Sequence, residues 1–171
     1  AIFNRASEGS GNTYWQTAHT NATTTAEAMF LLPSVKTFFG VTNFTDTANV
    51  RTVIEAIYLN ALGKAPADDV AGITYWSGQV TGGRSIGDVV NTLVVSATAT
   101  ANAGAAQNIF NNKVTVSNYA ADTLTAHTTD VAFQGYLTGV TAAASTVTTA
   151  NAAVLAAVPV VSSPLTVTSH S

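Results

Sequence analysis

The pair Tyr14-Trp15 recurs as Tyr75-Trp76, 61 residues further on (76 − 15). An internal repeat constrains a fold more than any local propensity does, because each copy must build the same unit. The match extends on both sides. Thr13 pairs with Thr74 and Gly11 with Gly72. Upstream, Ile2-Phe3-Asn4-Arg5-Ala6 aligns with Ala61-Leu62-Gly63-Lys64-Ala65. Arg5 stands ten residues before Trp15 and Lys64 twelve before Trp76, so the second copy carries a two-residue insertion. Downstream, Leu31-Leu32-Pro33-Ser34 falls opposite Leu93-Val94-Val95-Ser96, within one residue of register. The first copy lacks an opening helix, whose counterpart in the second is Ala48–Leu62. Ala1-Ile2-Phe3 opens the chain as an uncapped apolar run, and the expectation is a fragment cut or processed from a longer protein.

The second copy reads clearly as helices. Val50, Ile54, Ile57, Tyr58, Ala61 and Leu62 recur at helical spacing and form one face. Thr45, Asp46 and Thr47 offer N-caps before it, Gly63 suits its C-terminus, and Pro66 stops it. Asp68 and Asp69 sit where the next helix, Val70–Val80, needs an N-cap, and Gly82-Gly83 ends that helix. Ser85 caps a third, with Ile86, Val89, Val90, Leu93 and Val94 as its stripe. Beyond it, Ile109, Phe110, Val114 and Tyr119 suggest another helix, although Val114-Thr115-Val116 favours β structure. His127-Thr128-Thr129 reads as a break. Asp130 then caps a short helix carrying Phe133, Tyr136 and Leu137. Ser145 or Thr148 starts a final Ala-rich helix that Pro159 stops. The expected fold is all-α: two tandem three-helix units, the first truncated, then a C-terminal helical segment and an irregular or extended tail. The boundaries are 1–47, 48–113, 114–158 and 159–171.

Composition removes whole classes of function. The 171 residues suit one medium domain or two small ones. Only 9% are charged, against roughly 25% in typical soluble domains, while 47% are hydrophobic. Six Lys and Arg against nine Asp and Glu supply neither a basic nucleic-acid surface nor a polybasic membrane anchor. The chain has no apolar run of about 18 residues, so none of it spans a bilayer as a helix. Absence of Cys excludes disulfides, Cys-ligated zinc, iron–sulfur clusters and thiol catalysis. A Cys-free, Lys-poor chain rich in Thr, Ala and Asn fits a bacterial surface protein exported unfolded.

No catalytic constellation stands out. His19, His127 and His170 are scattered and lack metal-ligand spacing. Glu8, Glu27, Glu55, Asp88, Asp122 and Asp130 are isolated, so no glycosidase pair is visible in the sequence. Gly82-Gly83-Arg84-Ser85 is a turn and a cap, not a phosphate loop. Asp68 and Asp69 are too few to cage calcium, and N-capping explains them. The Tyr-Trp pairs admit two readings: flat faces for sugar rings, or aromatic anchors of equivalent helices. Adjacent helix positions point about 100° apart. One ring of each pair is therefore free to face out while the other packs. This assigns Trp15 and Trp76 to the core and Tyr14 and Tyr75 to ligand contact. Arg5 and Lys64 recur at matching positions, either as helix-end cations or as contacts to phosphate or an acidic sugar.

The segment Ile57-Tyr58-Leu59-Asn60-Ala61-Leu62-Gly63-Lys64-Ala65-Pro66, followed by Gly72-Ile73-Thr74-Tyr75-Trp76, resembles the bacterial domain family DUF4214. That family's pattern is like L-Y-x-x-x-L-G-R-x-P-D-x-x-G-x-x-Y-W. Phe3-Asn4-Arg5-Ala6 through Gly11-Asn12-Thr13-Tyr14-Trp15 looks like a degenerate second copy, with Ser7-Glu8 where the family has Pro-Asp. The two-residue insertion leaves open whether Asp68 or Asp69 is the family aspartate. Phe110-Asn111-Asn112-Lys113-Val114-Thr115-Val116 with Asn118-Tyr119 looks like sequence that follows this domain in surface-layer and type I-secreted proteins. The resemblance covers roughly residues 1–120. It implies a helical, extracellular module of the kind that accompanies S-layer proteins, adhesins, haemolysin-like proteins and some secreted enzymes. Similar S-layer regions anchor a lattice to lipopolysaccharide O-antigen.

The expected function is therefore non-catalytic: a cell-surface module for anchoring or subunit assembly, binding polysaccharide or neighbouring domains, with no cofactor and calcium as the one candidate metal. An accessory domain of a secreted enzyme and a filament-forming subunit are the alternatives. The packing assignment carries a prediction. Trp76→Ala lowers the melting temperature sharply, at a cost approaching the ~3–5 kcal/mol of a core Trp truncation. Tyr75→Ala melts within a few degrees of the parent.

Overall fold

The computed structural model describes residues 1–19, 21–126 and 129–159. Among them it contains helices and no strand: α1 (Gly9–Ala18), α2 (Ala22–Leu31), α3 (Pro33–Phe39), α4 (Thr47–Leu62), α5 (Val70–Thr81), α6 (Ile86–Thr98), α7 (Ala105–Thr123), α8 (Asp130–Gly135) and α9 (Ala144–Ala156). Short 3₁₀ turns occupy Pro66–Asp68 and Thr100–Asn102. The fold is all-α, as the apolar spacing predicts.

Helix α4 is central. Its Val50, Val53, Ile54, Ile57 and Ala61 are completely buried, and Tyr58 and Leu62 nearly so. The Asp46 carboxylate accepts from the Ala48 and Asn49 amides at 2.9 and 3.2 Å, starting the helix. Gly63 stops it with φ +64°, a conformation that side chains with a Cβ resist. The Gly63 amide then donates to the Leu59 carbonyl and the Lys64 amide to that of Tyr58, which satisfies two orphan carbonyls.

Two apolar cores form. Helices α2 to α6 build the first, with Phe30, Phe39, Ile54, Ile57, Ile73 and Leu93 among its members. Ala6, Val116, Ala120, Phe133, Leu137 and Val154 belong to the second. Helix α7 serves both, because Phe110 packs on the first and Val116 and Ala120 lie in the second. The domain boundary expected at 113/114 therefore falls inside a continuous helix. The β-prone Val114-Thr115-Val116 is helical because Val116 and Ala120, four apart, bury one face of it. The N-terminal segment is shared in the same way, with Phe3 against the first core and Ala6 in the second. Lys113, buried between them, donates from Nζ to the Asn60 carbonyl at 2.6 Å, and the Asn60 amide donates to the Ile2 carbonyl at 3.2 Å. Desolvation pushes the Lys113 pKa below its ordinary value.

The two halves differ after the Tyr-Trp helices. Helix α6 runs unbroken to Thr98, whereas α2 ends at Leu31 and Pro33 opens α3 at its first turn. Helices α2 and α6 share the most extensive helix contact in the fold. Asn91 donates to the Thr23 hydroxyl at 3.0 Å and the Ser85 hydroxyl to Glu27 at 2.8 Å across it. Thr129, rather than Asp130, caps α8, accepting from the Ala132 amide at 3.1 Å. The expected break at His127 and Thr128 and the tail from Val160 lie outside the described residues.

Gly87 sets the α2–α6 distance. A Cβ there would stand 2.5 Å from the Glu27 backbone nitrogen and Cα, atoms that cannot swing aside. Gly87→Ala is therefore expected to destabilise by about 1–3 kcal/mol, as overpacking does, despite alanine's better helix propensity. In urea the midpoint falls with an unchanged m value. A midpoint at or above the parent's would contradict this packing.

Candidate functional site

Each Tyr-Trp helix begins at a carboxylate, although only that of α5 accepts from an amide of its own helix. In α5 the Asp69 carboxylate accepts from the Gly72 amide at 2.9 Å and faces Lys64 at 3.8 Å. A Cβ on Gly72 would lie 2.5 Å from Asp69 Oδ2, so glycine lets the carboxylate close over the helix end. In α1, Glu8 occupies the capping position, Arg5 pairs with it at 3.2 Å, and a Cβ on Gly11 would lie 2.5 Å from Glu8 Oε1. Asn4 precedes Arg5 with φ +46°, in the left-handed region that Gly63 occupies before Lys64. Each tyrosine packs edge-on against its tryptophan: Tyr14 on Trp15 at 5.2 Å and Tyr75 on Trp76 at 4.9 Å between ring centroids.

The surroundings differ. Trp76, itself half-buried, packs against the first core. Burial first, then the Asp69 carboxylate, raises the Tyr58 phenol to about 12, while Trp76 beside it opposes that rise. Trp15 belongs to neither core, although its repeat position predicts a core anchor. It is half-buried, stacks on His19 at 5.4 Å with planes 22° apart, and walls an open trough. The reason is local: α1 buries no residue of its own.

The trough has a volume of 690 Å³. Phe3, Met29, Leu32, Val35 and Phe38 supply apolar lining, and Arg5, Glu8, Asn12, Asp130 and Gln134 supply polar groups. A second hollow of 330 Å³ shares Asn12, Trp15 and Met29 with it and continues past Gln16 and His19 to Asn21 and Thr25. Arg5 reaches two carboxylates, Glu8 at 3.2 Å and Asp130 at 3.0 Å, and so ties the N-terminal segment to α8.

Of the residues singled out from sequence, Arg5 and Trp15 line this trough. Tyr14 and Tyr75 are 60% and 57% exposed and stand outside it. Lys64 lies at the α5 end instead, beside Asp69. Asp68 accepts from the Ala65 amide at 2.8 Å and closes the 3₁₀ turn, while Asp69 is the α5 cap. Among the described residues no three His, Asp or Glu side chains gather into a metal site. Nor is any helix long and apolar enough to cross a membrane. Sequence reading passed over Asn12, Gln16 and Gln134 and treated His19 as isolated. A position-by-position comparison of the copies would have found three of them, since Asn12, Gln16 and His19 fall opposite Ile73, Ser77 and Val80.

Among the described residues the fold is all-α and carries an open trough walled by Trp15 and bearing the Asn12 and Gln134 side-chain amides. Comparison with protein-family models, curated proteins and solved structures gives no match.

The Tyr58 phenol gives a pH test. Its proton is held more tightly folded than unfolded, so its stabilisation is complete below pH 10.0 and is lost as pH rises through about 12. The difference in unfolding free energy between the parent and Tyr58→Phe is expected to shrink across that window. A difference constant over the window would refute the assignment.

Proposed function

We propose that this chain is a non-catalytic module of a bacterial cell surface that binds polysaccharide, lipopolysaccharide O-antigen being the leading candidate. It needs no cofactor and no calcium for this. The observation that carries the reading is the trough, whose Trp15 wall and apolar lining suit the C–H face of a sugar ring. The uncommitted amides of Asn12 and Gln134 suit hydroxyl groups. Exposed Tyr14 adds a flat face on the outside of α1, whereas Tyr75 stands on α5, which lines neither hollow. The resemblance to DUF4214 domains supports the extracellular setting, as does the scarcity of charge, which lets neutral surfaces crowd without repulsion. Assembly with neighbouring domains or copies accompanies binding in this reading.

Arg5 and its two carboxylates serve here as a clasp, not as an acid and nucleophile. Each carboxylate is committed to the guanidinium, and the three groups fix α8 against the N-terminal segment. Titration with purified O-antigen polysaccharide, with and without a calcium chelator, tests the proposal through tryptophan fluorescence. Saturable binding, unchanged by the chelator and without release of reducing ends, is expected. Steady hydrolysis abolished by Glu8→Gln or Asp130→Asn would overturn it in favour of an enzyme.

A further inference from the structure

We infer that the α1 face bearing Asn12, Gln16 and His19 is the ligand-reading surface, and that it takes an uncharged saccharide chain. The inference rests on the polysaccharide reading and narrows it to one helix and one ligand chemistry. With Gly11 set against Gly72, these positions match Ile73, Ser77 and Val80. In α5 all three are buried, and Tyr58 of α4 sits against Gly72. In α1 the same face is polar and open. Asn12 and His19 are half-buried, Gln16 is exposed, and none of the three side chains hydrogen-bonds to another described residue. Beside Gly11, the three atoms nearest a Cβ all belong to Glu8, so no described atom of another helix comes as close there as Tyr58 does to Gly72.

An apolar helix like α4 is the wrong occupant for this face. It would bury two amides and an imidazole against hydrocarbon, each at the cost of a buried polar group left unpaired. The spacing of 12, 16 and 19 aligns the three on one stripe with Trp15 beside it. That stripe offers donors and acceptors along its length and an aromatic face for apolar contact, which is the complement of a pyranose. Charge narrows the ligand further. Arg5 is the one Lys or Arg side chain among the residues lining the two hollows, and Glu8 and Asp130 already engage it. Those three side chains sum to −1 (+1 − 2), so an anionic sugar meets repulsion from them and finds no unpaired Lys or Arg among the lining residues.

The test uses the whole chain against a panel of neutral and uronic-acid-containing bacterial polysaccharides, read by calorimetry. The tightest binders are expected to be neutral. Asn12→Ala with Gln16→Ala should weaken them at least tenfold, and Tyr75→Ala less than twofold. Because Gln16 is exposed and Asn12 half-buried, a melting curve checks that the double variant stays folded. Gln16→Leu, which removes the amide while keeping the side chain's bulk, should weaken binding as well. Neutral binding that survives the α1 changes but falls with Tyr75→Ala overturns the inference and leaves the polysaccharide reading standing. Preference for acidic polymers also overturns the inference alone. Absence of binding across the panel overturns both.

Discussion

Everything else in this molecule leans on the burial of α4. Seven of its residues between Val50 and Leu62 are buried, and α3, α5 and α7 all pack on it. Burying that many aliphatic side chains, each contributing on the order of 1.5–3 kcal/mol, is what anchors the first core. The helix ends where it does because Gly63 turns the chain. The turn in turn sets Asp69 at the start of α5, and Asp69 with Tyr58 and Gly72 fixes how α5 docks. Trp76 is held by that docking. A single buried helix thus decides which Tyr-Trp pair becomes structural.

The other pair is free because nothing of that kind covers it. Helix α1 is held mainly at its start, where the Gly9 and Ser10 amides donate to the Leu124 and Thr125 carbonyls beyond α7 at 2.9 and 3.1 Å. Two helix ends thereby satisfy each other's orphan groups. A Cβ on Gly9 would lie 2.6 Å from the Ala121 carbonyl, so this contact also depends on glycine. The rest of α1 projects with Trp15 and the amides along the trough. Rigid attachment at one end and an exposed face along the length suit a recognition element, since the side chains are positioned without being buried.

The helices of the second half were legible because sequence and burial agree there. Val50, Ile54 and Ile57 repeat at helical spacing, and caps and glycines mark each end. Four features were not legible. Helix α3 follows from Pro33, which ends α2 and starts a new helix within one residue. The sharing of α7 between two cores is a tertiary fact that no local pattern carries. Trp15 misled because repeat logic assumes equal environments, and environment is set by what covers a helix. The pairing of Arg5 with Asp130 spans 125 residues and follows only from the fold. The trough itself was signalled indirectly, in the polar residues that replace Ile73 and Val80.

The central claim is that α1, and not α5, reads a sugar chain. Backbone amide chemical shifts recorded while a neutral O-antigen polysaccharide is added test this most directly. The account predicts that the perturbed residues cluster in α1, at Arg5 and along α8, with α5 unmoved. Perturbations confined to α5 around Tyr75 would contradict it.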